Sequence, residues 1–420
     1  MQISLYNTLS RQIEVFQPFN PEQVGIYSCG PTVYGAPHIG NMRKYFLDDL
    51  IKNVIKHIWW YNVTHVVNIT DVGHLTGENE GDADHGEDKM EKWAKREGLT
   101  AWDVAKKYET LFHENCRLLK LDPFDYTPRA TEHIAEQIDM VAQLEAKGYT
   151  YTIEGDGIYM DTSKVADYGK LMGANYKKHV EGLNAGERID MGGRKNPTDF
   201  ALWKFNMTGK KRDMEWESPR GIGFPGWHIE CSAMSIKYLG NHFDIHTGGI
   251  DHIPVHHSNE IAQSECSCTT APWVKYWLHY QFLNINWTKI SKSIGNVVTV
   301  EDVLNEGYSA EDLRYLYLMA QYSKDQNFTW EGLESAKVTR KSLKEKLKKY
   351  ALLEQVSEKK SESYKLIAWF LALNFDTVSV LTKLHEIIRD LVQVDVSIVS
   401  SLGESSTILS DLVDITYIDT

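Results

Sequence analysis

Apolar positions near the N-terminus follow a strand–helix–strand rhythm. Val24-Gly25-Ile26-Tyr27-Ser28 is a short apolar run closed by a turn at Gly30-Pro31, and it reads as a buried strand. Leu47, Leu50, Ile51, Val54, Ile55 and Ile58 then recur at helical spacing. Tyr61 to Ile69 (YNVTHVVNI) reads as a second strand, rich in β-branched residues. That order and spacing predict a parallel βαβ unit. Helical patterns fill roughly 90–147. Tyr149 to Tyr159 alternates around Glu154-Gly155-Asp156-Gly157, which predicts a hairpin inside a small insertion at 126–205. The α/β pattern resumes at Phe243-Asp244-Ile245-His246, a short strand ending in Thr247-Gly248-Gly249. Pro254 is then expected to open a helix through His257, Ile261 and Ala262. From about 309 to 393 the pattern is helical throughout. No internal repeat is present.

Composition narrows the class. The chain has 420 residues, 42% hydrophobic and 25% charged, with 29 Gly and 11 Pro, so disordered, collagen-like and low-complexity readings are excluded. A net charge of −13 is the wrong sign for a general nucleic-acid coat protein, so any RNA contact must come from a local patch. Lys337 to Lys349, with seven Lys/Arg against one Glu, is the candidate patch. After Arg389 there is no Lys or Arg. The five cysteines are few and odd in number, which favours a reducing compartment over a disulfide scaffold. MQISLYNTLSRQIEVF lacks the apolar core of a signal peptide. The most apolar stretch, Leu366 to Leu373, is far short of the roughly eighteen residues that span a bilayer. A soluble, cytoplasmic protein without membrane contact is expected. Residues 73–89, Gly-rich and acidic, read as a solvated loop.

Two segments carry phosphate chemistry. Pro37-His38-Ile39-Gly40-Asn41 lies where the first strand hands over to the first helix, where orphan N–H groups and the positive end of the helix dipole attract anions. Gly40 lets a nucleotide approach the backbone, and His38 and Asn41 can add side-chain donors. Lys289-Ile290-Ser291-Lys292-Ser293-Ile294-Gly295-Asn296 places Lys289 and Lys292 in a compact cationic loop, suited to a departing pyrophosphate. A third cluster can bind metal. Cys29 ends the first strand, Cys231 lies in Gly226-Trp227-His228-Ile229-Glu230-Cys231, and His256 and Glu260 share one face of a predicted helix at i and i+4. Two thiolates, an imidazole and a carboxylate satisfy tetrahedral zinc. His257 competes with His256, because i+3 to Glu260 is also feasible.

With the two phosphate segments about 250 residues apart, in the order HIGH then KMSKS, the chain resembles the class I aminoacyl-tRNA synthetases. Cys29-Gly30-Pro31-Thr32-Val33-Tyr34, Gly226 to Met234, and Pro254-Val255-His256-His257 through Glu260 to Glu265 resemble signatures of the cysteinyl-tRNA synthetase family. Asn68-Ile69-Thr70-Asp71, Pro128-Arg129-Ala130-Thr131, Asn196 to Phe200 and Asn241 to His246 agree with it, and the match covers roughly residues 1–335. The resemblance implies zinc on Cys29, Cys231, His256 and Glu260, completed by the substrate thiolate. Catalysis would fall to His38, Asn41, Lys289 and Lys292, and ATP binding to Gly40, Gly249, Asp251 and Lys292, with magnesium accompanying ATP. It also implies a cysteine pocket lined by Trp227, Thr32 and His246, while His242 is read as structural. The partners implied are ATP, L-cysteine and tRNA(Cys), bound by a monomer. Zinc would separate cysteine from serine, which a pocket relying on shape distinguishes by only about 1–3 kcal/mol. No insertion is large enough for an editing domain.

The fold implied is α/β: a Rossmann-like parallel-sheet catalytic domain with a small insertion, then a C-terminal α-helical bundle. Boundaries are expected at 1–125 and 206–280 for the two catalytic halves and 126–205 for the insertion. The lysine loop and stem-contact region would take 281–325, and a short helical tRNA-binding-like domain 326–420. Several departures stand out. Val72-Gly73-His74-Leu75 follows Asp71 where the family has Asp-Asp-Lys, Thr288 replaces a common Glu, and Ile290 replaces Met. An acidic tail stands where the family adds an anticodon module, so that module is expected to be absent or badly eroded. The rival readings are an ATP-dependent ligase joining cysteine to a small amine, as in mycothiol-pathway relatives, and a non-catalytic RNA-binding paralogue. A zinc peptidase would leave both phosphate loops unexplained.

Overall fold

The computed structural model describes residues 3–72, 75–76, 87–185, 192–206, 211–290, 295–351 and 377–393. The chain enters through a hairpin, β1 (Ser4–Asn7) and β2 (Gln12–Val15), and then forms β3 (Val24–Ser28), α1 (Ile39–Asn53) and β4 (Val63–Val67). β3 and β4 pair in parallel, Val24 opposite Val63 through Ser28 opposite Val67, as the pattern predicts. β3 is buried at all five positions, so its residues show no alternation. Two short strands, β5 (Leu75–Thr76) and β6 (Glu87–Asp88), pair within the acidic segment; 73–74 and 77–86 lie outside the described residues. Helices α2 (Lys89–Glu97), α3 (Ala101–Leu118) and α4 (Ile134–Ala146) follow.

The predicted hairpin is β7 (Thr150–Ile153) and β8 (Gly157–Met160). After α5 (Asn175–Ala185) it extends through β9 (Phe200–Phe205) and β10 (Gly223–Pro225) into an antiparallel sheet of order β10-β9-β8-β7. Its last strand comes from beyond residue 205. α6 (Trp227–Leu239), β11 (Phe243–Gly249), α7 (His256–Cys268) and β12 (Val274–Tyr280) return to the parallel sheet, whose order is β12-β11-β3-β4. β3 is thus flanked by its successor β4 and by β11 from the other half of the chain. The crevice beyond the carboxyl ends of β3 and β11 is the switch point where open α/β sheets bind ligands.

Two expectations are corrected. α7 begins at His256, two residues after Pro254, because Val255 is not helical. β11 does end at Gly249 as the pattern predicts, with Gly248 and Gly249 paired with His279 and Tyr280; a side chain at Gly248 would strike the His257 ring. The stretch after 309 is not all helix. β13 (Leu283–Ile285) and β14 (Thr288–Lys289) precede α8 (Val300–Asn305) and α9 (Ala310–Leu318), and β15 (Gln326–Phe328) then pairs in parallel with β13. Three residues are too few to leave a periodic signature. α10 (Trp330–Ala351) and α11 (Thr377–Gln393) complete the described chain; the acidic tail and Leu366–Leu373 lie outside it. No helix among the described residues is long and apolar enough to cross a membrane.

Candidate active site

Cys29, Cys231, His256 and Glu260 converge from three elements, β3, α6 and α7, all buried, with ligand atoms within 4.8 Å of one another. Cys29 continues β3. Its N–H donates to Thr247 O on β11 (3.1 Å), and its C=O accepts from Lys44 Nζ on α1 (2.6 Å), so both flanking peptide groups are clamped. Lys44 is itself held by Asp48 (2.9 Å), one turn on, and Asp48 accepts from Tyr280 Oη (2.6 Å). Cys231 comes from α6, with its Sγ 3.7 Å from Asn68 Oδ1; that oxygen also accepts from Gly30 N (2.8 Å). On α7, Glu260 Oε1 meets His256 Nε2 (2.7 Å) and lies 3.8 Å from Cys29 Sγ, while Oε2 meets His246 Nε2 (2.7 Å).

These groups form an ionised network. Desolvation works against Glu260, but His246 and His256 hold its carboxyl well below the usual range. His256 is likewise opposed by burial, yet Glu260 and Cys231 raise it to about 10. The S–H of Cys29 lowers Cys231 against burial, while burial and the Cys231 thiolate push Cys29 up. The cluster therefore sets a carboxylate against an imidazolium and biases the Cys231 thiol toward its ionised form. A sulfur-rich set of this size suits a borderline-soft divalent ion, which would displace the remaining protons.

Sequence reasoning missed much of the surrounding shell. A second set, Cys29, His246, His257 and Glu260, shares two ligands with the first, and His257 Nε2 lies 3.2 Å from Cys29 Sγ. His257 Nδ1 reaches His279 Nε2 (2.8 Å), and His279 Nδ1 reaches Thr8 Oγ1 (2.8 Å). His228 Nδ1 faces His256 Nδ1 at 2.9 Å. Burial lowers His252 and His279 to about 3 and holds His257 well below the usual imidazole range, so these rings are neutral. The one available signal was histidine density between His242 and His257. Lys44 gave none.

The pocket residues divide. Trp227 opens α6 half-buried, with its ring 4.5 Å from that of His256, so it walls the thiol–imidazole–carboxylate cluster. Thr32 bridges Thr70 beyond the β3 and β4 ends. His246 is wholly buried behind Glu260 and stacked on Trp277 (4.7 Å). His242 packs on Phe19 away from the cluster.

The phosphate segments adjoin one another. Ile39 N donates to Val298 O (2.9 Å), and His38 bridges Thr299. A Cβ on Gly40 would come 3.1 Å from Ile290 Cδ1, so the glycine is where the first loop receives the second. His38 caps α1. Its Nδ1 accepts from Asn41 N (3.2 Å), and Asn41 Oδ1 accepts from His38 N (3.1 Å). With Met42 N bonded to His38 O, three of the first four helical N–H groups are already committed, so an anion placed there would meet side chains and Gly40. Lys289 lies in β14 with Nζ 4.7 Å from the Phe282 ring centroid; Lys292 lies outside the described residues. The Asp251 carboxylate folds against Gly249, where a Cβ would collide with it.

Comparison with known proteins agrees with this arrangement. Residues 15–338 match the family described as tRNA synthetases class I (C) catalytic domain. Cysteine--tRNA ligase 1 of Burkholderia lata is 49% identical over 337 residues, 80% of this chain and 69% of the relative. The cysteine--tRNA ligase of Treponema denticola is 45% identical over 351 residues, 83% of this chain and 69% of the relative. Among solved structures, Mycobacterium tuberculosis methionyl-tRNA synthetase in complex with methionyl-adenylate superposes with a TM-score of 0.61 over 92% of this chain and 84% of that one. At 14% identity it shares the fold alone. By its family match and its relatives, the chain belongs to the class I tRNA synthetases, in the branch that holds the cysteine--tRNA ligases.

Proposed function

We propose that this chain activates L-cysteine with ATP and transfers the cysteinyl group to the 3′ end of tRNA(Cys). The observation that carries this reading is the thiol–imidazole–carboxylate cluster seated beside two adjoining phosphate segments at the switch point of the sheet. A cysteine carboxylate oxygen attacks the α-phosphorus of ATP, and the bond to pyrophosphate breaks. The 2′-hydroxyl of the terminal adenosine then attacks the cysteinyl carbonyl, and AMP leaves. Neither step needs a protein nucleophile, so the residues position reactants and stabilise charge. His38, Gly40 and Asn41 receive phosphates. Lys289 and Lys292 neutralise the departing pyrophosphate, and magnesium travels with ATP. Gly249 and Asp251 take the ribose hydroxyls, and Trp227 and Thr32 bound the amino acid.

Cys29, Cys231, His256 and Glu260 would hold zinc. This set is preferred to the one containing His257 because it offers two sulfurs. Zinc, when bound, supplies a soft Lewis acid that takes a thiolate in preference to a hydroxyl. The chain's own part is to lower the Cys231 thiol and to hold the Glu260 carboxylate with one oxygen on His246 and the other toward the cluster.

Purified protein should catalyse ATP–pyrophosphate exchange with cysteine and not with serine, and should charge tRNA(Cys) transcript. Equal exchange with both amino acids removes the metal-selection reading. Exchange without tRNA charging, together with acylation of a small amine, transfers the assignment to the amine ligases.

A further inference from the structure

Trp287 is anomalous. It lies at the tip of the two-residue turn joining β13 to β14, two residues before Lys289. Both turn residues have positive φ, 49° at Asn286 and 60° at Trp287. Such turns favour Asn followed by Gly, because a Cβ is penalised there. The first position obeys and the second does not. Packing does not explain the tryptophan either, since its side chain is 77% exposed. The turn is nevertheless fixed: Trp287 N donates to Asn327 Oδ1 (2.5 Å), and Asn286 N donates to Phe328 O (3.2 Å).

The surroundings suggest what the ring meets. β13 and β15 run parallel, with Ile285 opposite Phe328, so Trp287 and Trp330 leave the sheet at the same end. Trp330, 37% exposed, stacks on Tyr308 (5.9 Å, 24° between planes), and Lys337 Nζ lies 4.5 Å from the Tyr308 ring centroid. Lys337 belongs to the basic run of α10, with Lys341 and Lys344 further along. Exposed flat rings edged by cations, one strand away from a nucleotide loop, match the way proteins hold unpaired bases: stacking from aromatic faces, phosphate attraction from lysines.

We propose that Trp287 and Trp330 form a stacking platform for an unpaired nucleobase of the tRNA, with Lys337 beside it on the RNA backbone. This rests on the proposed function for its RNA. Trp60 supplies an internal comparison. It has φ 60° and is 81% exposed, but it precedes β4, at the amino ends of the parallel strands, opposite the carboxyl ends that carry the site.

The test is the dissociation constant of labelled tRNA(Cys) transcript at fixed salt for the full chain and for Trp287→Gly, Trp287→Phe and Trp60→Gly. Glycine suits both turn positions, so neither glycine variant should lose thermal stability. Trp287→Gly should weaken binding about 5- to 150-fold with an unchanged salt slope, as expected for loss of one stacked base. Trp287→Phe should stay close to the parent, and Trp60→Gly should match it. Unchanged affinity in Trp287→Gly overturns the platform, as does equal weakening in Trp60→Gly or in Trp287→Phe. Cysteine-dependent exchange by the unmodified chain needs no RNA, so failure of the underlying function is read separately.

Discussion

Residue identity at the proposed metal cluster is only half of what holds it. Cys29 is reached by Lys44, whose ammonium caps the Cys29 carbonyl and is anchored by the buried Asp48. Replacing Lys44 by Met keeps the length and removes the donor. Partners of this kind are typically worth 10- to 100-fold in metal affinity, so Lys44→Met should lose zinc to a chromogenic chelator at least about tenfold faster than the parent. An unchanged release rate would limit Lys44 to holding α1. The four proposed ligands were legible because their types and their i, i+4 spacing speak directly to metal chemistry. Lys44 was not, since lysine in a helix reads as a solvated face until the fold turns it inward. The histidine shell was hidden for a related reason. His228 and His279 gain meaning only from His256 and His257, which the sequence places far from them.

At the scale of elements, the site depends on how closely the ends of β3 and β4 approach. A Cβ on Gly30 would fall on the Asn68 carbonyl, a backbone atom that no rotamer change can move aside. Gly30→Ala should therefore displace Cys29 and Asn68 together, and metal analysis of the purified variant should find well under one zinc per chain. Full metal content would show that the loops can part without cost to the site. These strands and β11 share a buried chain in which Thr247 Oγ1 donates to Ser28 Oγ (2.8 Å), 2.9 Å from His65 Nε2. Burial lowers His65 to about 3, so the folded protein keeps it neutral while the unfolded chain protonates it below about 6.5. Its contribution to stability is complete above pH 6.5 and is lost as pH falls toward 3, about 2 kcal/mol by pH 5. Urea unfolding of metal-free His65→Gln should accordingly lose less stability between pH 7 and pH 5 than the parent does. Long periodic elements were readable in advance: the βαβ unit, the hairpin and α10. The α6–α7 contact was not, because Gln263, Ser264 and Ser232 bond across it in place of apolar side chains, leaving no amphipathic stripe to find.

Across the whole molecule, the basic helix and the phosphate loop are joined through α9. Arg340 of α10 donates through Nε to Asp312 (2.9 Å), both nearly buried, and Asp312 also caps α9 by accepting from Ser309 N (2.9 Å). At the other end of α9, Tyr317 Oη donates to Ile39 O (2.7 Å), at the first turn of α1. Arg43, one turn on, donates to the carbonyls of Gln281, Gln321 and Lys324. The surface proposed to grip tRNA is thus fastened to the nucleotide site by buried, directional bonds. Removing one member of a buried ion pair strands its partner and costs about 3–5 kcal/mol, whereas neutralising both recovers most of that. Arg340→Met should lower the thermal midpoint and raise the KM for tRNA, while cysteine-dependent ATP–pyrophosphate exchange falls much less. Arg340→Met with Asp312→Asn, which keeps the cap and removes the stranded charge, should regain the midpoint. Parallel loss of exchange and charging in Arg340→Met would mean that α10 supports the catalytic sheet itself rather than the grip on RNA.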